Sequence, residues 1–195
     1  FACSDLNGFR ARFFHLGPLT TRDMSLDFLR GASARSDVSL DVQGLVRDAS
    51  RGEIRMDAWP EMEEGLACVT VLKADEDEAR ILTGENDPEQ AAQRLAGWGP
   101  REVIVTFGSR GSVIYSAGRL HRISPVPASK VVDATGCGDT YLAAYLHRRL
   151  KSGDLERAGR FASAAATLTL GRFGSFHATE RDVEDVAQAD TIRAR

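Results

Sequence analysis

Cysteine is scarce in this sequence, and what there is does not pair. Cys3, Cys68 and Cys137 are scattered with no C-x-x-C spacing, which argues against a zinc ribbon or a disulfide framework. Long apolar runs are missing as well: nothing approaches the ~18 consecutive apolar residues that a membrane-spanning helix needs. Basic residues are not in excess. With 25 Lys and Arg against 28 Asp and Glu, the net charge of −3 argues against a nucleic-acid binder, which normally carries a basic stripe. The four histidines (His15, His121, His147, His177) show no ligand spacing and read as structural or surface residues. No G-x-x-x-x-G-K-[ST] occurs, which excludes a P-loop. Gly136-x-Gly138 has Tyr141 where the dinucleotide fingerprint has its third glycine, so an NAD-dependent oxidoreductase is disfavoured. These absences leave a cytoplasmic protein as the expectation.

What is present suits a globular fold. Apolar residues at 43 % and charged residues at 27 %, over 195 positions, allow one domain with a hydrophobic core. Short apolar runs alternate with longer periodic segments, which predicts an α/β domain with a mostly parallel sheet. Strands are expected at Arg12–Leu16, Val38–Val42, Cys68–Leu72 and Val103–Phe107, with a hairpin-like pair at Ser112–Tyr115 and Leu120–Ile123. Helices are expected at Asp23–Ala34, Asp75–Leu82, Pro88–Trp98, Thr140–Lys151 and Leu155–Leu170, the last Ala-rich and buried. Arg47–Pro60 reads as a loop, and 179–195 as a polar tail or short surface helix.

The most informative segment is Asp133-Ala-Thr-Gly-Cys-Gly-Asp139, immediately before a helix. Glycines two apart let successive N–H groups converge, and the helix adds its positive N-terminal end. Such a turn suits a phosphate or a phosphoryl group in transfer. Asp139 beside an anion site is electrostatically odd unless it takes a proton from a hydroxyl nucleophile. A plain loop-to-helix turn with Asp139 as a cap remains open at this point.

That segment is similar to the D-T-T-G-A-G-D signature of the ribokinase/PfkB family of carbohydrate kinases. The resemblance implies a ribokinase-like, Rossmann-type three-layer sandwich. It also implies that Asp139 is the catalytic base and that the backbone of Thr135, Gly136, Cys137 and Gly138 is the anion hole for the γ-phosphoryl group. Cys137 stands where the family has Ala; a helix N-terminus lowers thiol pKa, so a nucleophilic Cys137 is a minor alternative. Three more segments follow the family order. Leu72-Lys-Ala-Asp-Glu-Asp-Glu78 resembles an N-x-x-E element, with Glu78 matching its Glu and Asp75 replacing its Asn, which implies a role near Mg²⁺. Val103–Gly111 resembles "VTLGxxG" and makes Thr106, Gly108 and Gly111 candidates for the ATP site. Phe161–Leu170 resembles the small-residue helix behind the adenine, with Ser163 near a polar contact. The resemblance also allows a monovalent-cation site near Asp133 and the Gly171–Gly174 loop, and a homodimer.

The family's N-terminal strands and lid, with a G-G-x-x-x-N element for the acceptor, have no counterpart here, and the chain opens on Phe1. The expectation is therefore a partial domain spanning 1–195 that is marginally soluble or self-associating. Val38–Gly44 and Leu72–Asp75 are similar to the branch that includes myo-inositol kinases, which leans the acceptor towards a sugar or polyol. Asp41 there either faces the site or forms a turn. Two functions compete: ATP-dependent phosphoryl transfer to an alcohol, and a non-enzymatic nucleotide-binding module.

Overall fold

The structure is a computed structural model that describes residues 1–48 and 55–193. In chain order its elements are β1 (Phe13–Leu16), α1 (Leu26–Ser33), β2 (Asp37–Asp41), β3 (Arg47–Asp48), β4 (Arg55–Met56), α2 (Met62–Leu66), β5 (Val71–Asp75), α3 (Glu76–Thr83) and α4 (Pro88–Ala96). Then come β6 (Glu102–Thr106), β7 (Ser112–Ser116), β8 (Arg119–Ile123), α5 (Cys137–Lys151), α6 (Leu155–Leu170) and α7 (Glu180–Arg193). Six strands form one sheet in the order β1-β2-β5-β6-β7-β8; β3 and β4 pair antiparallel by themselves. β1 with β2, and β2 with β5, run parallel, as expected of an α/β fold. β7 and β8 are joined by Ala117 and Gly118, both at positive φ (48° and 77°), the geometry of a tight hairpin turn. No helix among the described residues is long and apolar enough to cross a membrane.

The described chain divides into two compact units, 1–105 with 115–120 and 106–114 with 121–195. In the first, β2 and β5 are buried on both faces, and Phe28, Leu29 and Ala32 of α1 are buried with them. α1 begins later than its apolar pattern suggests. Ser25 caps it by accepting from Phe28 N–H, while the Asp23 carboxylate accepts from the Leu19 and Thr20 N–H groups and closes a turn before it. The Arg47–Pro60 stretch is not wholly a loop, because β3 and β4 pair within it; positions 49–54 lie outside the described residues. The expected strand at Cys68–Leu72 is displaced to Val71–Asp75. The N–H groups of Cys68 and Val69 are used in closing α2, through bonds to the carbonyls of Gly65 and Leu66. α2 itself approaches Trp59 so closely that a Cβ on Gly65 would lie 2.2 Å from the indole ring.

In the second unit α5 and α6 pack along each other and α6 packs on α7. Phe161, Ala164 and Ala165 of α6 form a core with Val126 and Val183. Gly159 lets α6 sit directly on the strands: a Cβ there would be 2.7 Å from Ile123 and 2.9 Å from Ile114. The polar tail is a 14-residue helix, α7.

Candidate active site

In the second unit, the glycine turn is a left-handed entry into α5. Gly136 has φ +76° and caps the helix with no side-chain bond. A Cβ there would meet nothing, so conformation rather than space demands glycine. The helix starts at Cys137, three residues before the expected Thr140, so Cys137, Gly138 and Asp139 are its first turn. Cys137 N–H donates to Ala134 O (3.2 Å) and Thr140 N–H to Gly136 O (2.9 Å). That leaves the Gly138 and Asp139 N–H groups as the donors at the positive end of the helix. Thr135 N–H is spent within the turn, donating to Asp133 Oδ1 at 2.9 Å, and this bond holds the Asp133 carboxyl below the usual carboxylate range. Asp139 is exposed. Its side chain lines a cavity of about 450 Å³ with Thr140, Ala143, His147, Phe161 and Phe176.

Cys137 does not have the character of a nucleophile. Burial, and then the Asp133 charge, push its thiol pKa up, against the lowering expected from its helix position. Its Sγ reaches Ala166 O on α6 at 3.6 Å. Tyr141, next along α5, shares a 2.7 Å hydrogen bond with Ser112, and burial pushes its hydroxyl up to about 12.

The expected nucleotide residues lie in this unit too. Thr106 ends β6, and Gly108 starts a 3-10 turn at φ +60° with open space around it. Gly111 is required by the chain itself: at φ +100°, its Cβ would lie 2.2 Å from Ile123 O. Ser163 is built into the packing, since its Oγ accepts from Val126 N–H at 3.1 Å. Thr167 donates to Val126 O at 2.6 Å, so α6 holds both polar groups of that residue.

The first unit holds Asp75 and Glu78. They form a reciprocal cap on α3: Asp75 Oδ1 accepts from Glu78 N–H and Glu78 Oε2 from Asp75 N–H, both at 2.8 Å. Glu78 is 1 % exposed, and burial pushes its carboxyl up to about 7. Behind it Lys73 Nζ pairs with Asp41 Oδ2 at 2.8 Å, with both side chains buried. Burial alone would lower the Lys73 pKa; the Asp41 charge and hydrogen bond outweigh it and raise the pKa. Asp41 also accepts from Gln43 N–H, so it is a turn former as well as an ion partner. Arg47, half-exposed, meets Glu78 at 3.8 Å. Sequence reasoning missed Lys73 and Arg47. The available signals were a lysine inside the apolar strand β5 and an arginine directly after the buried Leu45-Val46 pair. Among the described residues, no group of three or more His, Cys, Asp or Glu side chains is placed to hold a metal ion.

Comparison with known proteins adds to this geometry. A family described as pfkB family carbohydrate kinase matches residues 36–181. An uncharacterized sugar kinase of Archaeoglobus fulgidus is 33 % identical over 124 residues, covering 64 % of this chain and 49 % of that protein. A pyrophosphate-dependent kinase in the ribokinase family, solved with a pyrophosphate analog and myo-inositol, superposes with a TM-score of 0.84 at 25 % identity, covering 95 % of this chain and 66 % of that one. Arabidopsis thaliana ribokinase, solved with ribose and ATP, superposes at 0.74 and 26 % identity, covering 91 % and 56 %. The chain thus spans about half of the sugar kinase and less than two thirds of either solved chain.

Proposed function

The chain belongs to the pfkB family of carbohydrate kinases, and from that premise we propose that it transfers the terminal phosphoryl group of ATP to a hydroxyl of a sugar or polyol. The observation that carries this reading is Asp139 in the first turn of α5, after the left-handed Gly136, at the edge of a cavity. The acceptor hydroxyl gives its proton to the Asp139 carboxylate as its oxygen attacks the γ-phosphorus, and the bond to the leaving diphosphate breaks. The Gly138 and Asp139 N–H groups, at the positive end of the helix, balance charge on the group in transfer. Thr106 and Gly108 are proposed for the nucleotide, Gly111 closes the turn after them, and Ser163, whose Oγ is taken by Val126 N–H, supports the packing of α6 rather than a nucleotide contact.

Mg²⁺ accompanies ATP in this chemistry, but Asp75 and Glu78 do not fit direct ligation. Each spends a carboxylate oxygen on the other's N–H, and Glu78 is closed to solvent. The acceptor class and the donor draw support from the two superposed kinases, which hold ribose with ATP and myo-inositol with a pyrophosphate analog.

Phosphoryl transfer to a panel of sugars and polyols, with ATP and with pyrophosphate as donors, tests the reading. Asp139→Asn is expected to lower kcat by roughly 10²- to 10⁴-fold while binding of a non-hydrolysable ATP analogue persists. Wild-type turnover in that variant would remove Asp139 from the base role. A chain that binds the analogue but transfers nothing would favour the nucleotide-binding module.

A further inference from the structure

Parallel α/β sheets bind ligands beyond the carboxyl ends of their strands. β2 and β5 are parallel neighbours that place Asp41, the last residue of β2, opposite Lys73, two residues short of the carboxyl end of β5. The ion pair between them is almost wholly buried, and burial of this kind adds little net stability because desolvation offsets the attraction. Its position calls for another account. Lys73 also lies within the charge of Glu78, and Glu78 meets Arg47. Acidic and basic side chains therefore alternate from the interior outward through Asp41, Lys73, Glu78 and Arg47.

Arg47 is the member of this array whose side chain reaches solvent, at 34 % exposure. At 3.8 Å, Glu78 attracts the guanidinium without accepting a hydrogen bond from it. The backbone beneath is held from three sides. Arg47 O accepts from Thr21 N–H (3.4 Å), Val46 O accepts from Asp57 N–H (2.9 Å), and Arg47 pairs with Met56 in the β3–β4 ladder. The turn leading to it is pressed onto the loop after β1, where a Cβ on Gly44 would lie 2.1 Å from Pro18 O. These bonds fix where the guanidinium's stem leaves the backbone, and its planar fork matches phosphate oxygens.

We propose that Arg47 is the anion-recognition residue of the first unit, taking a phosphate group beyond the carboxyl ends of β2 and β5, with Asp41, Lys73 and Glu78 as positioning residues behind it. The ligand's identity rests on the kinase reading; the geometry does not. The phosphate belongs either to the phosphoryl donor or to a phosphorylated acceptor.

The test is calorimetric titration of the 195-residue chain with pyrophosphate, a non-hydrolysable ATP analogue and a hexose monophosphate. Arg47→Ala is expected to weaken phosphate binding roughly ten-fold or more, and Arg47→Lys by less, with the thermal midpoint little changed. Weakening with pyrophosphate and the ATP analogue identifies the donor; weakening confined to the hexose monophosphate identifies the acceptor. Equal binding of every ligand by wild type and Arg47→Ala overturns this inference and leaves the kinase reading standing. A folded wild type that binds none of the three overturns both. Should Arg47→Ala fail to fold, Arg47→Lys decides in its place, and unchanged affinity there counts against the proposal.

Discussion

Glu78 shows how much a single side chain's surroundings govern its charge. In the unfolded chain its carboxyl ionises near 4.5, whereas burial in the folded chain pushes it up to about 7. Between those values the folded chain holds the extra proton, so this group's contribution to stability falls as pH rises through the window and is level above it. Glu78→Gln keeps an oxygen to accept from Asp75 N–H but cannot ionise. The variant is expected to gain on the wild type by about 1–3 kcal/mol between pH 5 and pH 8, read from urea denaturation at each pH. Parallel pH profiles for the two proteins would sink this account. None of it was legible in the sequence. The acidic run Asp75-Glu-Asp-Glu78 reads as a solvated helix start, and only the pairing of strands 32 residues apart places Lys73 and Asp41 behind it.

Among the elements, the turns that flank β7 and α5 both rely on glycine, but for different reasons. At Gly136 the left-handed backbone is the sole obstacle to a side chain; at Gly111 the carbonyl of Ile123 also occupies the space. Gly136→Ala should therefore cost about 1–2 kcal/mol, and Gly111→Ala distinctly more, because backbone must move to admit the methyl group. Chemical denaturation of both variants checks the order, and equal losses would contradict it. The turn before α5 could be read from two glycines and an Asp, because its chemistry is local. α2 could not be read: five residues containing a glycine carry no helical periodicity, and the helix is seen only with Trp59 packed on it. β5 was misplaced for a related reason, since apolar content begins at Cys68 while the N–H groups there are already committed to α2.

For the molecule as a whole, the alternation of strands and helices and the order of four motifs were enough to indicate the α/β class and the family, because both are set by patterns along the chain. The division into two units was not visible, since it cuts β6 between residues 105 and 106 and passes again through the β7–β8 hairpin, with no break in the chain's composition at either place. That division, together with the seat of Trp59 on Gly65, has an optical consequence. Both tryptophans of the sequence, Trp59 and Trp98, lie in the first unit, so indole emission reports on that unit and the second is dark. Trp59 is buried, and its ring occupies the place of a Gly65 side chain. Gly65→Ala is expected to turn the indole towards water and shift its emission to the red while the far-ultraviolet dichroism is kept. An unmoved emission maximum would mean that the ring does not lie on Gly65. The same pair of chromophores then offers a built-in lamp for watching the first unit unfold by itself.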